Sequence, residues 1–104
     1  MSKTLLIIAH TPSPNTAALA KAGLDACLGY DGYDHCEIKT RCLSPFDVTS
    51  PDLLAADAVI IGTTENIGYM AGATKDMFDR CYNDWLGNSD AKPVAIYIRS
   101  GLDG

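Results

Sequence analysis

Three short apolar runs punctuate the chain: Lys3 to Ala9 (KTLLIIA), Ala58 to Ile61 (AVII) and Pro93 to Ile98 (PVAIYI). Runs of this kind, without polar alternation, suit strands buried on both faces of a parallel sheet. A further segment is patterned differently. Cys36, Ile38, Thr40 and Cys42 alternate with Glu37, Lys39 and Arg41, the period of two that marks a strand with one wet face, which belongs at a sheet edge. Between these segments the period lengthens. Leu19, Ala22, Gly23, Ala26 and Cys27 make one stripe opposite Lys21 and Asp25, which predicts a helix from Ala17, closed by Gly29 just beyond its end. Met70, Ala73, Met77, Cys81 and Trp85 predict a second helix from Gly72, with Lys75, Asp76, Asp79 and Arg80 on its other side and Lys75 spaced to pair with Asp79. Ser50-Pro51-Asp52 reads as a capping serine with proline in the first helical position, opening a helix of one or two turns before Asp57. Tyr30 to His35 and Gly87 to Ser89 read as turns. Strands alternating with helices define an α/β chain with a parallel sheet, and 104 residues form one domain, 1–104, with one modest core.

A parallel sheet binds its ligands beyond the carboxyl ends of its strands. Two loops stand there. The first follows the apolar run Ala58 to Ile61: Gly62 is read as ending the strand, and Thr63 to Ala71, with Thr64, Glu65, Asn66, Gly68 and Tyr69, carries small or hydrogen-bonding groups without an apolar period. The second is His10 to Thr16, where Thr11, Ser13 and Thr16 offer hydroxyls and Asn15 an amide at the start of a helix. Such an arrangement can hold an anion through unpaired N–H groups and the positive dipole end. Equally, Ser13 or Asn15 can serve as a plain helix cap. Pro12 and Pro14 bring no N–H to that loop.

The run GTTENIGYMAGATKDMFDR, residues 62–80, resembles the flavin-ring loop and following helix of the flavodoxin-like NAD(P)H-dependent FMN reductases and related flavodoxin family proteins. Thr64 stands where that pattern has proline. Residues 11–16 resemble the flavodoxin phosphate loop, with Pro14 in place of its glycine. The resemblance implies a three-layer flavodoxin-like parallel sheet with helices on both faces and four strands in the order 2-1-3-4. It implies FMN as cofactor, with Thr11, Ser13, Asn15 and Thr16 at the phosphate and Thr64, Glu65, Asn66, Ile67, Gly68 and Tyr69 bordering the ring. Ser100 and Gly101 begin what resembles a third ligand loop, after which the family continues with a helix, a strand and a last helix. The expectation is therefore a domain incomplete at its carboxyl end, its fourth strand left as a bare edge. The implied activity moves hydride or electrons from NAD(P)H, as co-substrate, through the flavin to a small acceptor such as a quinone or free flavin, with no catalytic acid or base side chain. The alternatives are an electron carrier of the flavodoxin type and a truncated domain that no longer binds flavin. Glu65 is either a charge that lowers the flavin's potential or a solvated loop carboxylate. Tyr69 either stacks on a ring or packs on its own helix.

Composition narrows the partners. A net charge of −5 with no basic cluster argues against nucleic acid. No apolar run is long enough to cross a bilayer and the amino terminus lacks a cleavage pattern, which predicts a cytoplasmic protein without a membrane partner. Cys27, Cys36, Cys42 and Cys81 include no C-x-x-C pair and no histidine at ligand spacing, so no metal is expected, and Cys27 and Cys81 read as core thiols. The bare fourth strand, with the dimers and tetramers common in the family, predicts a homo-oligomer.

Overall fold

The computed structural model describes residues 2–30, 36–85, 87–88 and 92–101. Residues 31–35 of the turn predicted over Tyr30 to His35, Ser89 of the turn predicted over Gly87 to Ser89, and the last three positions lie outside the described residues. The elements run β1 (Ser2–Ala9), α1 (Pro14–Leu28), β2 (Glu37–Leu43), α2 (Ser50–Ala55), β3 (Ala58–Asn66), β4 (Tyr69–Met70), α3 (Gly72–Trp85) and β5 (Val94–Arg99). Four strands form an open parallel sheet in the spatial order β2-β1-β3-β5, with Ile7 opposite both Cys42 and Ile60, and Ile61 opposite Ile96. The two-residue β4 adds an antiparallel hairpin at the end of β3.

The alternation of side chains along β1 and β3 divides the core. Ile7, Ala9 and Ile60 meet Ala20, Leu24 and Cys27 of α1 on one face. Leu6, Ile8, Val59 and Ile61 meet Leu53 of α2 and Met77 and Cys81 of α3 on the other. The chain steps from β1 to β2 and then back past β1 to β3. Because such crossovers are right-handed, this reversal places α1 on one face and α2 and α3 together on the other.

Local chemistry shifts several boundaries. Helix α1 begins three residues before the predicted Ala17, because Ser13 caps it and Pro14 brings a pre-set φ to its first position. Its buried face is Thr16, Ala20, Leu24 and Cys27, whereas Leu19, Ala22 and Ala26 of the predicted stripe are exposed. Small residues on nearly every side give this helix little preference for one face, and the sheet decides. Gly29 ends α1 in right-handed conformation at φ −77° rather than in the left-handed form expected beyond a helix end; its N–H still donates to Asp25 O. The cap of α2 is Thr49, one residue earlier than the predicted Ser50, with the Thr49 N–H and Oγ1 both donating to Asp52 Oδ2 at 2.9 and 2.8 Å. That contact holds the Asp52 carboxyl below its usual range, chiefly through the Thr49 N–H.

The largest difference is in β3. The strand does not stop at Gly62 but continues to Asn66, because β5 pairs alongside it as far as Thr64 with Arg99, and β4 pairs with Glu65 and Asn66. Gly62 instead serves a close approach: the Tyr97 ring of β5 lies where a Cβ at 62 would stand. Among the described residues β5 pairs only with β3, and Val94, Ile96 and Ile98 are exposed along it.

Candidate functional site

The carboxyl ends of β3 and β5 and the β3–β4 hairpin enclose a pocket of about 280 Å³ lined by Thr63, Thr64, Glu65, Gly68, Tyr69, Met70 and Ile98. One lining residue, Thr63, is held by a threonine pair. Thr63 and Thr74 are both buried, and their hydroxyls lie 2.9 Å apart, tying the end of β3 to the first turn of α3. The Ala71 N–H donates to Thr64 O at 3.1 Å, which brings the hairpin back under the pocket. The next hydroxyl along, Thr64 Oγ1, is buried and has no hydrogen-bond partner among the described residues. A buried orphan hydroxyl is uncommon and carries a desolvation cost of about 1–3 kcal/mol.

The hairpin turn is Ile67-Gly68, with φ +53° and +76°. Positive φ at both residues is the signature of the type I′ turn, whose twist matches that of the flanking strands. Glycine accepts this at no steric cost; isoleucine, branched at Cβ, does not. Ile67 is nonetheless there, with its side chain wholly in solvent. Glu65 Oε2 accepts the Gly68 N–H at 2.7 Å and braces the turn across its base.

Of the expected ring-side residues, Thr64, Glu65, Gly68 and Tyr69 line this pocket, while Asn66 and Ile67 are exposed on the hairpin tip and do not. Thr63, Met70 and Ile98 line it as well. Ile98 reaches the site only through its pairing opposite Thr63, a register for which the linear sequence carries no signal.

The helix-start residues are arranged as a cap. The Ser13 N–H donates to Thr16 Oγ1 at 3.0 Å, the Thr16 N–H donates to Ser13 Oγ at 3.3 Å, and Thr16 is buried. Both hydroxyls are thus turned onto each other, while Thr11 and Asn15 are exposed. Ser100 Oγ donates to Gly101 O at 3.4 Å; neither residue lines the pocket.

Two features at the same end of the sheet have no counterpart in the sequence reading. Arg80 of α3 donates to Pro45 O at 2.7 Å and Val48 O at 2.8 Å, pinning residues 45–48 against the helix. That turn presents an exposed Phe46 edge-on to His10, ring centroids 6.3 Å apart. A charged residue on the wet side of a helix reads as solvated; here two backbone carbonyls supply the reason for it. The phenol of Tyr97 over Gly62 is pushed up from its ordinary pKa, mainly by burial.

Among the described residues no group of three or more histidine, cysteine, aspartate or glutamate side chains is placed to hold a metal ion, and no helix is long and apolar enough to cross a membrane. The fold and site together define an α/β domain with a mostly parallel open sheet and a small, partly apolar pocket beyond the carboxyl end of an inner strand. No model of a known protein family matches the chain, and no curated protein matches it either.

Proposed function

We propose that this chain is an FMN-binding flavodoxin-like oxidoreductase that passes hydride or electrons from NAD(P)H to a small acceptor such as a quinone or a free flavin. The observation that carries the reading is the pocket itself: it lies where a parallel sheet binds ligands, on the stretch that resembles a flavin-ring loop, and is lined by Thr64, Glu65, Gly68 and Tyr69 of that stretch. Its volume is at the lower limit of ligand sites, enough for part of a ring system and not for a whole cofactor.

The ring-side residues fit a flavin. Met70 and Ile98 offer apolar surface, Tyr69 an amphipathic ring, Thr64 a hydroxyl buried behind the pocket surface, and Gly68 an amide that Glu65 Oε2 now occupies at 2.7 Å. The helix start supplies less. Thr11 and the exposed Asn15 are available there, Ser13 and Thr16 would have to exchange their mutual bonds for a phosphate, and Pro14 donates nothing. When bound, the cofactor supplies the two-electron chemistry between nicotinamide and acceptor. The chain's own part is to orient the ring edge through Thr64 and Gly68, and to exclude water on the Met70 and Ile98 side. No side-chain acid or base is required. Self-association through the bare β5 edge and a cytoplasmic location belong to the same reading, supported by the exposed Ile96 and Ile98 and by the sequence pattern. The acidic balance, −5, supports a second reading, an electron carrier that docks on basic partners.

The test is the visible spectrum of the purified chain and the quenching of FMN fluorescence on titration. Saturable quenching in the micromolar range is expected; its absence would sink the flavin reading. NADPH oxidation by the loaded chain then separates a reductase from a carrier, which needs a reductase of its own.

A further inference from the structure

The bond between Glu65 and Gly68 bears on how any ligand enters the pocket. In this hairpin the strand ladder runs through Glu65 with Met70 and Asn66 with Tyr69. The amide of Gly68, the second turn residue, is therefore not used by the ladder and projects from the turn as a donor. The Glu65 carboxylate takes it at 2.7 Å, and both residues line the pocket. Beside them, Thr64 Oγ1 is buried without a partner among the described residues. The turn also keeps Ile67 at φ +53°, a conformation costly for a β-branched residue and of the kind that collects at ligand sites.

We propose that Glu65 is an internal competitor for the ligand: its carboxylate occupies the Gly68 amide that a carbonyl oxygen on the edge of a bound planar ring takes, so that binding proceeds by displacement of Glu65. The inference rests on the flavin reading for the identity of that ring. It differs from the ordinary role of a turn-bracing carboxylate in the sign of its consequence. If Glu65 only braces the hairpin, removing it loosens the pocket and weakens binding. If it competes, removing it frees a donor already in place and strengthens binding.

The experiment titrates FMN, by fluorescence quenching, into the wild-type chain, Glu65→Ala and Glu65→Gln, and follows hydrogen exchange at the Gly68 amide in the same three proteins without flavin. Competition predicts that Glu65→Ala binds FMN several-fold to about tenfold more tightly, a factor of ten being about 1.4 kcal/mol. Glu65→Gln, whose amide oxygen still accepts but more weakly, falls between the two. Exchange at Gly68 quickens in Glu65→Ala. Binding by Glu65→Ala that is equal to or weaker than wild type overturns the inference and leaves the flavin reading standing. Glu65→Gln binding as tightly as Glu65→Ala overturns it too, because charge repulsion alone then accounts for the gain. Unchanged exchange at Gly68 removes its structural premise. If none of the three proteins binds FMN, the flavin reading falls and the inference falls with it.

Discussion

Gly62 offers a test of the sheet's construction that needs no ligand. It sits in β3 opposite Ala9 on one side and Tyr97 on the other, and a Cβ built on it would lie inside the Tyr97 ring, against Cζ, Oη and Cε2. Gly62→Ala therefore forces the ring to move. Those are the outer atoms of a half-buried side chain on an edge strand, so the ring can swing away, at the expense of its packing over β3. Overpacking of this kind costs about 1–3 kcal/mol. Without the ring the balance reverses: a strand residue gains about 0.5–1 kcal/mol when glycine becomes alanine, through the lower entropy of the unfolded chain. The reasoning thus predicts that Gly62→Ala destabilises the wild-type chain by about 1–3 kcal/mol but is neutral or stabilising in a Tyr97→Ala background. The coupling between the two sites should be about 1–4 kcal/mol, measured as a double-mutant cycle from urea denaturation midpoints. Equal costs in the two backgrounds, within about 0.5 kcal/mol, would refute the steric account.

Two further outcomes are expected. Ile67→Asn should stabilise the chain by about 1 kcal/mol, since Asn-Gly is a favoured pair in a type I′ turn and the wholly exposed isoleucine contributes no packing; thermal denaturation checks it, and a loss of stability would contradict the strain at φ +53°. Asp52→Asn should lower stability at neutral pH by about 1 kcal/mol, as loss of the charge on a capping contact does. The Asp52 carboxyl is held below its usual value in the folded chain, so its contribution is complete above the unfolded value of about 3.9 and disappears as pH falls through the lower folded value. The gap between mutant and wild type should therefore close in acid below about pH 4, and a gap constant with pH would count against it.

Elements whose burial is periodic were legible before any coordinates. The alternation in β2 from Glu37 to Arg41, the buried inner half of β1 and the Ala73–Met77–Cys81 stripe of α3 lie as their patterns require, because the side-chain period of a strand or helix is a local property. The apolar run of β5, by contrast, reads as buried on both faces but forms a strand that is exposed except for the half-buried Tyr97, since a second neighbour for it is not among the described residues. Failures came where the deciding partner was distant. The extension of β3 past Gly62 depends on hydrogen bonds offered by β5 and β4, and a glycine between apolar and polar residues reads as a stop when those partners are unseen. The rotation of α1 reflects a helix of small residues with no strong face of its own. At the site, Thr64, Glu65, Gly68 and Tyr69 were singled out by loop chemistry and do line one pocket, whereas Ile98 and the clamp by Arg80 needed the register of the sheet and the approach of a loop.

By itself, then, the amino-acid sequence determined the α/β class of the fold and which two loops follow its first and third strands, because these follow from hydrophobic period and length; the order of the strands came from the resemblance and not from the pattern. Only the tertiary structure decided what those loops do with their polar groups. Ser13 and Thr16 turned to each other, Glu65 closed on Gly68, and Thr64 Oγ1 was left buried and, among the described residues, unpaired. A hydroxyl or carboxylate has several partners within reach along its own chain, and which one it takes depends on backbone positions that the packed sheet sets.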